Sequence, residues 1–136
     1  MSYYIATTLD EPFETAIAHA EEALKKEGFG IISRIDIQDA LKTKIGVEFR
    51  PYTILGACNP ALAHEALKLE DKVGTMLPCN VVVQARDGAT EIAAIDPVAS
   101  MQAIQNSQLQ QAAQEVRNRL QRVIDSLQEA QVPLAG

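Results

Sequence analysis

The chain has few side chains suited to nucleophilic or soft-metal chemistry, namely two cysteines and two histidines. Both cysteines directly precede asparagine, in Ala57-Cys58-Asn59-Pro60 and in Leu77-Pro78-Cys79-Asn80. The first pair reads as a strand end followed by a helix start, with Asn59 as N-cap and Pro60 as the first helical residue. Cys58 therefore stands beside a helix N-terminus, whose partial positive charge favours a thiolate. His64 lies in the opening turns of that helix, and helical side chains lean back toward the N-terminus. The spacing thus predicts that His64 looks toward Cys58. Cys79 begins the next strand, and pairing of the two strands would bring both thiols to one sheet edge.

Several chemistries are open to this set. Cys58, His64 and Cys79 supply three zinc-type donors, but there is no Cys-x-x-Cys pair and no evident fourth ligand. A reversible disulfide requires Cα atoms within ~7 Å. A Cys58–His64 nucleophilic pair lacks an identified orienting group and oxyanion hole. Simple packing competes with all three, because free cysteine is among the most buried residue types. Likewise the Cys-Asn segments can serve only to shape helix and strand starts. His19 shares a helix face with Thr15, Glu22 and Lys26 and reads as a solvated histidine. No G-x-S-x-G, Walker-type or G-x-G-x-x-G pattern occurs, so no catalytic or cofactor motif stands beside the cysteines.

The elements that must position these residues are legible as patterns. Tyr3 to Thr8 reads as a strand, then Asp10 and Pro12 as the start of a helix. Its apolar face is Phe13, Ala16, Ile17, Ala20, Ala23 and Leu24, and Gly28 stops it, with Leu24 and Phe29 placed for the accompanying contact. Ile31 to Ile37 is a second strand, with Ile31, Ser33, Ile35 and Ile37 expected on one side. Gln38 to Ile45 is a short helix ended by Gly46. Tyr52 to Ala57 forms a third strand, and the helix from Asn59 to about Glu70 buries Leu62, Ala63, Ala66 and Leu67. Cys79 to Arg86 turns at Asp87-Gly88 into a strand from Thr90 to Ile95. Val81, Val82 and Val83 are apolar on both faces, so this strand is expected in the middle of the sheet, covered on both sides. Asp96-Pro97 repeats the cap signal, and a capping box at Ser107 opens a last helix to about Glu129. From Gln131 onward the chain reads as loose.

The whole, residues 1–136, is expected to form a single α+β domain with a largely antiparallel sheet. Hydrophobic residues make up 47% and charged residues 22%, the composition of a globular chain and not of a disordered one. A net charge of −6, scattered basic residues and 4% aromatics leave no nucleic-acid surface. No apolar run approaches the ~20 residues of a membrane span, and the first residues lack a basic, then apolar, leader pattern. A cytoplasmic setting with reduced thiols is the expectation.

The same residues carry a family resemblance. The blocks GFGIISRIDIQDALKTKIG, RPYTILGACNPALAHEAL, GTMLPCNVVV and AAIDPVASM resemble domain-of-unknown-function family three hundred and two, over about Phe13 to Leu127. The resemblance implies an α+β fold of TATA-binding-protein-like topology in small prokaryotic proteins, with dimers expected. The order would be β-α-β-β-α-β-β-α plus a short extra helix. It implies no activity, and the fold name carries no DNA binding. The residues it singles out are Cys58, Asn59, Pro60, His64, Leu77, Pro78, Cys79 and Asn80. The expectation from sequence is a homodimer with a small-molecule or thiol-based site at Cys58, Asn59, His64, Cys79 and Asn80. The rival is a non-enzymatic interaction module.

Overall fold

A computed structural model describes residues 2–131. Five strands form one sheet in the order β1-β5-β4-β3-β2, every neighbouring pair antiparallel. They are β1 Tyr4–Leu9, β2 Gly30–Asp36, β3 Tyr52–Cys58, β4 Cys79–Arg86 and β5 Ala89–Ile95. The helices are α1 Phe13–Lys26, α2 Ile37–Ile45, α3 Pro60–Leu69, α4 Pro97–Ser100 and α5 Ser107–Ala130, with a 3-10 segment over Asp71–Met76. This is the expected antiparallel α+β arrangement. Gln131, read as the start of a loose stretch, is instead tied down: it caps α5 and its Oε1 accepts from the Asp10 N–H at 2.9 Å; the residues beyond it lie outside the described ones.

Helices α1 and α5 pack against one face of the sheet. Ala16, Ile17, Ala20 and Leu24 of α1 meet Leu55, Val81, Val83 and Ile92 of the strands, joined by Leu120, Val123 and Ile124 of α5. The stop of α1 has the anticipated form. Gly28 takes φ +88°, its N–H donates to the Lys25 carbonyl, and the Phe29 N–H reaches back to the Leu24 carbonyl at 3.0 Å. Leu24 and Phe29 are both buried. The opening of α1 differs from expectation. Pro12 is the N-cap with no side-chain cap bond, because Glu11 and Pro12 separate Asp10 from the first turn.

Strand β4 is central, as the valine run implies, but its cover is one-sided. Val81 and Val83 are fully buried under the helices, whereas Val82 is on the other face and half-buried. Strand β2 departs further from simple alternation. A register shift between Ile31 and Ser33 places Ile31 against the core and Ser33 beside Gly56, so the four expected residues do not share a side. The same shift puts Arg34 opposite Leu55 on the helical side, where it meets Glu14 at 3.3 Å and Glu21 at 3.6 Å. The cap of α5 is Asn106 and not Ser107, its Oδ1 accepting from the Leu109 N–H at 3.0 Å. Leu67 of α3 is 42% exposed, so the buried stripe of that helix narrows to Ala66 with Leu62 and Ala63 partly covered.

Candidate functional site

The two Cys-Asn segments meet because antiparallel pairing puts the end of β3 beside the start of β4. Ala57 is the cross-strand partner of Cys79, so Cys58 is one residue past that pair. Asn59 then caps α3, its Oδ1 accepting from the Leu62 N–H at 3.1 Å, with Pro60 as the first helical residue. The chain enters β4 through Leu77-Pro78, a cis peptide. Both joints border one partly open cavity of about 40 Å³. Its floor includes Ala57 and Cys79, α3 contributes Leu62 and Ala66, and Met101 and Ala113 close the far side.

The lining presents no polar surface, since the amide oxygen of Asn59 is spent on its cap. Cys79 is only 7% exposed, while Cys58 is half-buried. Burial pushes the Cys79 thiol up to about 11, with the neighbouring Cys58 adding a smaller push in the same direction. This is the desolvation effect expected for a cysteine entering a valine-rich strand.

The remaining candidates are elsewhere. His64, expected to look toward Cys58, is exposed and does not line the cavity, although the preceding Ala63 does. The helix turns it outward, next to the Glu65–Lys68 pair at 2.8 Å, which holds the Glu65 carboxyl below its ordinary range. The set Cys58, His64 and Cys79 is accordingly not a metal-ligand cluster. Among the described residues no three of His, Cys, Asp and Glu come together in that way. Asn80 points to the opposite face of the sheet, opposite Gly56. His19 is exposed on α1 as expected, but it has a partner in Glu11, 2.7 Å from its Nδ1.

The bare sheet face holds features that were not anticipated. An apolar row, Ala6–Ala93–Val82–Ile54–Ile35, crosses all five strands. Beside it is a groove of about 330 Å³ bordered by Tyr4, Tyr52, Asn80 and Gln84. Arg50 Nε donates to Gln84 Oε1 and Gln84 Nε2 donates to Glu91 Oε1, both at 2.9 Å. The Arg50 guanidinium also stands 4.4 Å from the Phe49 ring centre. A polar Gln84 directly after three valines was the available signal for this network. Met101 carried no comparable signal, since only tertiary packing brings it to the cysteines.

Fold and site together define an α+β protein with one helix-covered sheet face, one bare face and a buried two-thiol cavity. Residues 5–127 match the family described as Domain of unknown function DUF302, and the chain belongs to that family. A similar solved structure is the crystal structure of an uncharacterized conserved protein DUF302 from Bacillus stearothermophilus. It has a TM-score of 0.86 and 29% identity, covering 92% of this chain and 98% of that chain. No curated protein matches the chain. Among the described residues no helix is long and apolar enough to cross a membrane.

Proposed function

We propose that this protein is a cytoplasmic homodimer that binds a small ligand at the Cys58–Cys79 cavity and is not a catalyst. The observation that carries the reading is the convergence of both thiols on one cavity whose surface is wholly apolar. Nucleophilic catalysis needs a base beside the thiol. The cysteines are the only titratable residues in the lining, so binding is the better-supported use. Two unpaired thiols suit a reducing compartment.

A second copy is the fitting cover for the bare sheet face. Val82 and Ile54 are half-buried and Ile35 is 48% exposed, on the face opposite α1 and α5. Five strands ~4.8 Å apart and about seven residues long present roughly 570 Å² in projection, and more once side chains roughen the surface. That approaches the ~800 Å² per partner of a standard interface. The Val82→Lys variant should sediment as a monomer with its circular dichroism intact; a wild-type monomer at high micromolar concentration refutes the dimer.

The cavity is tested with arsenite, a probe of few atoms that binds a pair of neighbouring thiols far more tightly than a lone one, added to the reduced native protein. One arsenic per chain is expected by native mass spectrometry, and Cys58→Ser should abolish the uptake. Failure of the native wild type to take up arsenic, while a reduced dithiol control does, overturns the site.

A further inference from the structure

The chemistry of the cavity lining narrows the ligand. We propose that the cavity binds a soft, closed-shell monovalent cation of the copper(I) class through the sulfurs of Cys58, Cys79 and Met101. This inference rests on the ligand-site reading above and sharpens it.

Size decides first. Pockets for drug-sized organic ligands run to ~300–1,000 Å³, whereas this cavity holds about 40 Å³. That is room for a bare ion or a very small group. Surface chemistry decides next. A hard cation such as magnesium or calcium needs oxygen ligands and gives up its water reluctantly, and the lining offers no polar surface. Zinc sites need about four donors of the nitrogen, sulfur or carboxylate kind, and among the described residues not even three gather. What the lining does include is three sulfur-bearing residues from three separate elements. Cys58 ends β3, Cys79 begins β4, and Met101 follows α4 and is itself 5% exposed. Thiolate and thioether donors are the set that selects copper(I), which is content with few ligands.

The charge and proton balance is simple. The arriving cation forms bonds to both Cys sulfurs and one to the Met thioether. The two thiol protons leave to solvent, and no electron moves. The bound site then carries one net negative charge. The N-terminus of the ten-residue α3, which begins right after Cys58, faces it with the favourable end of its dipole. A buried thiol that resists ionisation in water is deprotonated outright by a coordinating metal.

The test is an anaerobic titration of the reduced protein with copper(I) supplied as its acetonitrile complex, in competition with the chromophoric chelator bicinchoninate. One copper(I) per chain is expected to transfer to the protein, with a thiolate-to-copper absorption band in the near ultraviolet. Cys58→Ser and Cys79→Ser should each abolish the transfer. Met101→Leu keeps the volume and the fold. It should weaken binding by at least the ~10–100-fold that loss of an outer-shell partner costs. His64→Ala should leave binding unchanged. Copper(I) remaining with the chelator against a folded wild type overturns the proposal, as does a Met101→Leu or Cys58→Ser variant that binds like wild type. If arsenite bridges the thiols but copper(I) does not bind, this inference falls and the ligand-site reading stands. If neither binds, both fall.

Discussion

The raised Cys79 thiol has a consequence that can be measured as stability. Its value rises from 9.0 to about 11, chiefly through burial. Between those values the unfolded chain has lost the proton while the folded chain keeps it. The folded state then binds more protons than the unfolded one, so stability must fall as pH rises. Each unit is worth about 1.4 kcal/mol, giving a loss of about 1.4 kcal/mol by about pH 10 and nearly twice that by about pH 11. Below about pH 9 the contribution is fully present. Tyrosines and lysines also titrate in this range, so the reading must be a difference. Urea melts of wild type and Cys79→Ala, with reductant and chelator present, isolate the thiol. The stability gap between them should be constant to about pH 8.5 and then shrink by the stated amount. A parallel readout is alkylation of Cys79 in the Cys58→Ser background. At neutral pH the native thiolate population is about a hundredfold below that of the unfolded chain, so iodoacetamide should react at least that much more slowly. A gap that stays flat to about pH 10.5, or native alkylation as fast as in urea, refutes the reasoning.

Gly28→Ala should destabilise by about 1–3 kcal/mol in urea melts, because φ is +88° and the new Cβ would lie 2.9 Å from Asn59 Nδ2. Asn59→Ala removes the cap of α3 and should cost about 1 kcal/mol, with amide exchange of α3 accelerating more than that of β4. Asp96→Ala should cost about 3 kcal/mol or more, because it strips both the α4 cap and the partner of Arg117 from a nearly buried site. Thermal melts of Asp96→Ala and the double variant Asp96→Ala/Arg117→Ala check that last value, the double losing less than the two singles summed.

What could be read from sequence were the features governed by short-range stereochemistry. Asn59-Pro60, Asp96-Pro97, Gly46 and Asp87-Gly88 each satisfy backbone groups within a few residues, so their roles do not depend on the rest of the fold. Asp87 and Gly88, at φ +51° and +80°, form the two-residue turn that their types demand. The β2 bulge was invisible because the isoleucines Ile31, Ile32 and Ile35 satisfy alternation in either register. The observed register is accompanied by contacts to residues on other elements, Arg34 with Glu14 and Glu21 and Ser33 beside Gly56. The site divides the same way. That Cys58 and Cys79 are near neighbours follows from the pairing of β3 with β4, which the sequence left open. The outward turn of His64 was not, since a helix can present Ala63 or His64 inward depending on how it docks. Helix α3 packs on α5, far along the chain, as well as on the 3-10 segment that follows α3.

That docking also bears on how the two halves of the site are held. The apolar interior is divided. The main cluster joins the sheet to α1 and the C-terminal half of α5. A second, smaller cluster joins Ala66, Val73, Met101, Leu109 and Ala113. The cavity lies on the seam, with Phe29, Ala57 and Cys79 from the first cluster facing Ala66, Met101 and Ala113 from the second. The small cluster is fastened at its rim by polar links in place of packing. Asp96 caps α4 and binds Arg117 at 3.0 Å, and Gln110 Nε2 donates to the Met101 and Ile104 carbonyls. These links register Met101 on α5, and the same helix continues into the main cluster through Leu120, Val123 and Ile124. The thioether is therefore held by the long helix that covers the sheet, while the two thiols are held on adjacent strands. Two separate fastenings, strand pairing and helix docking, thus converge on one cavity.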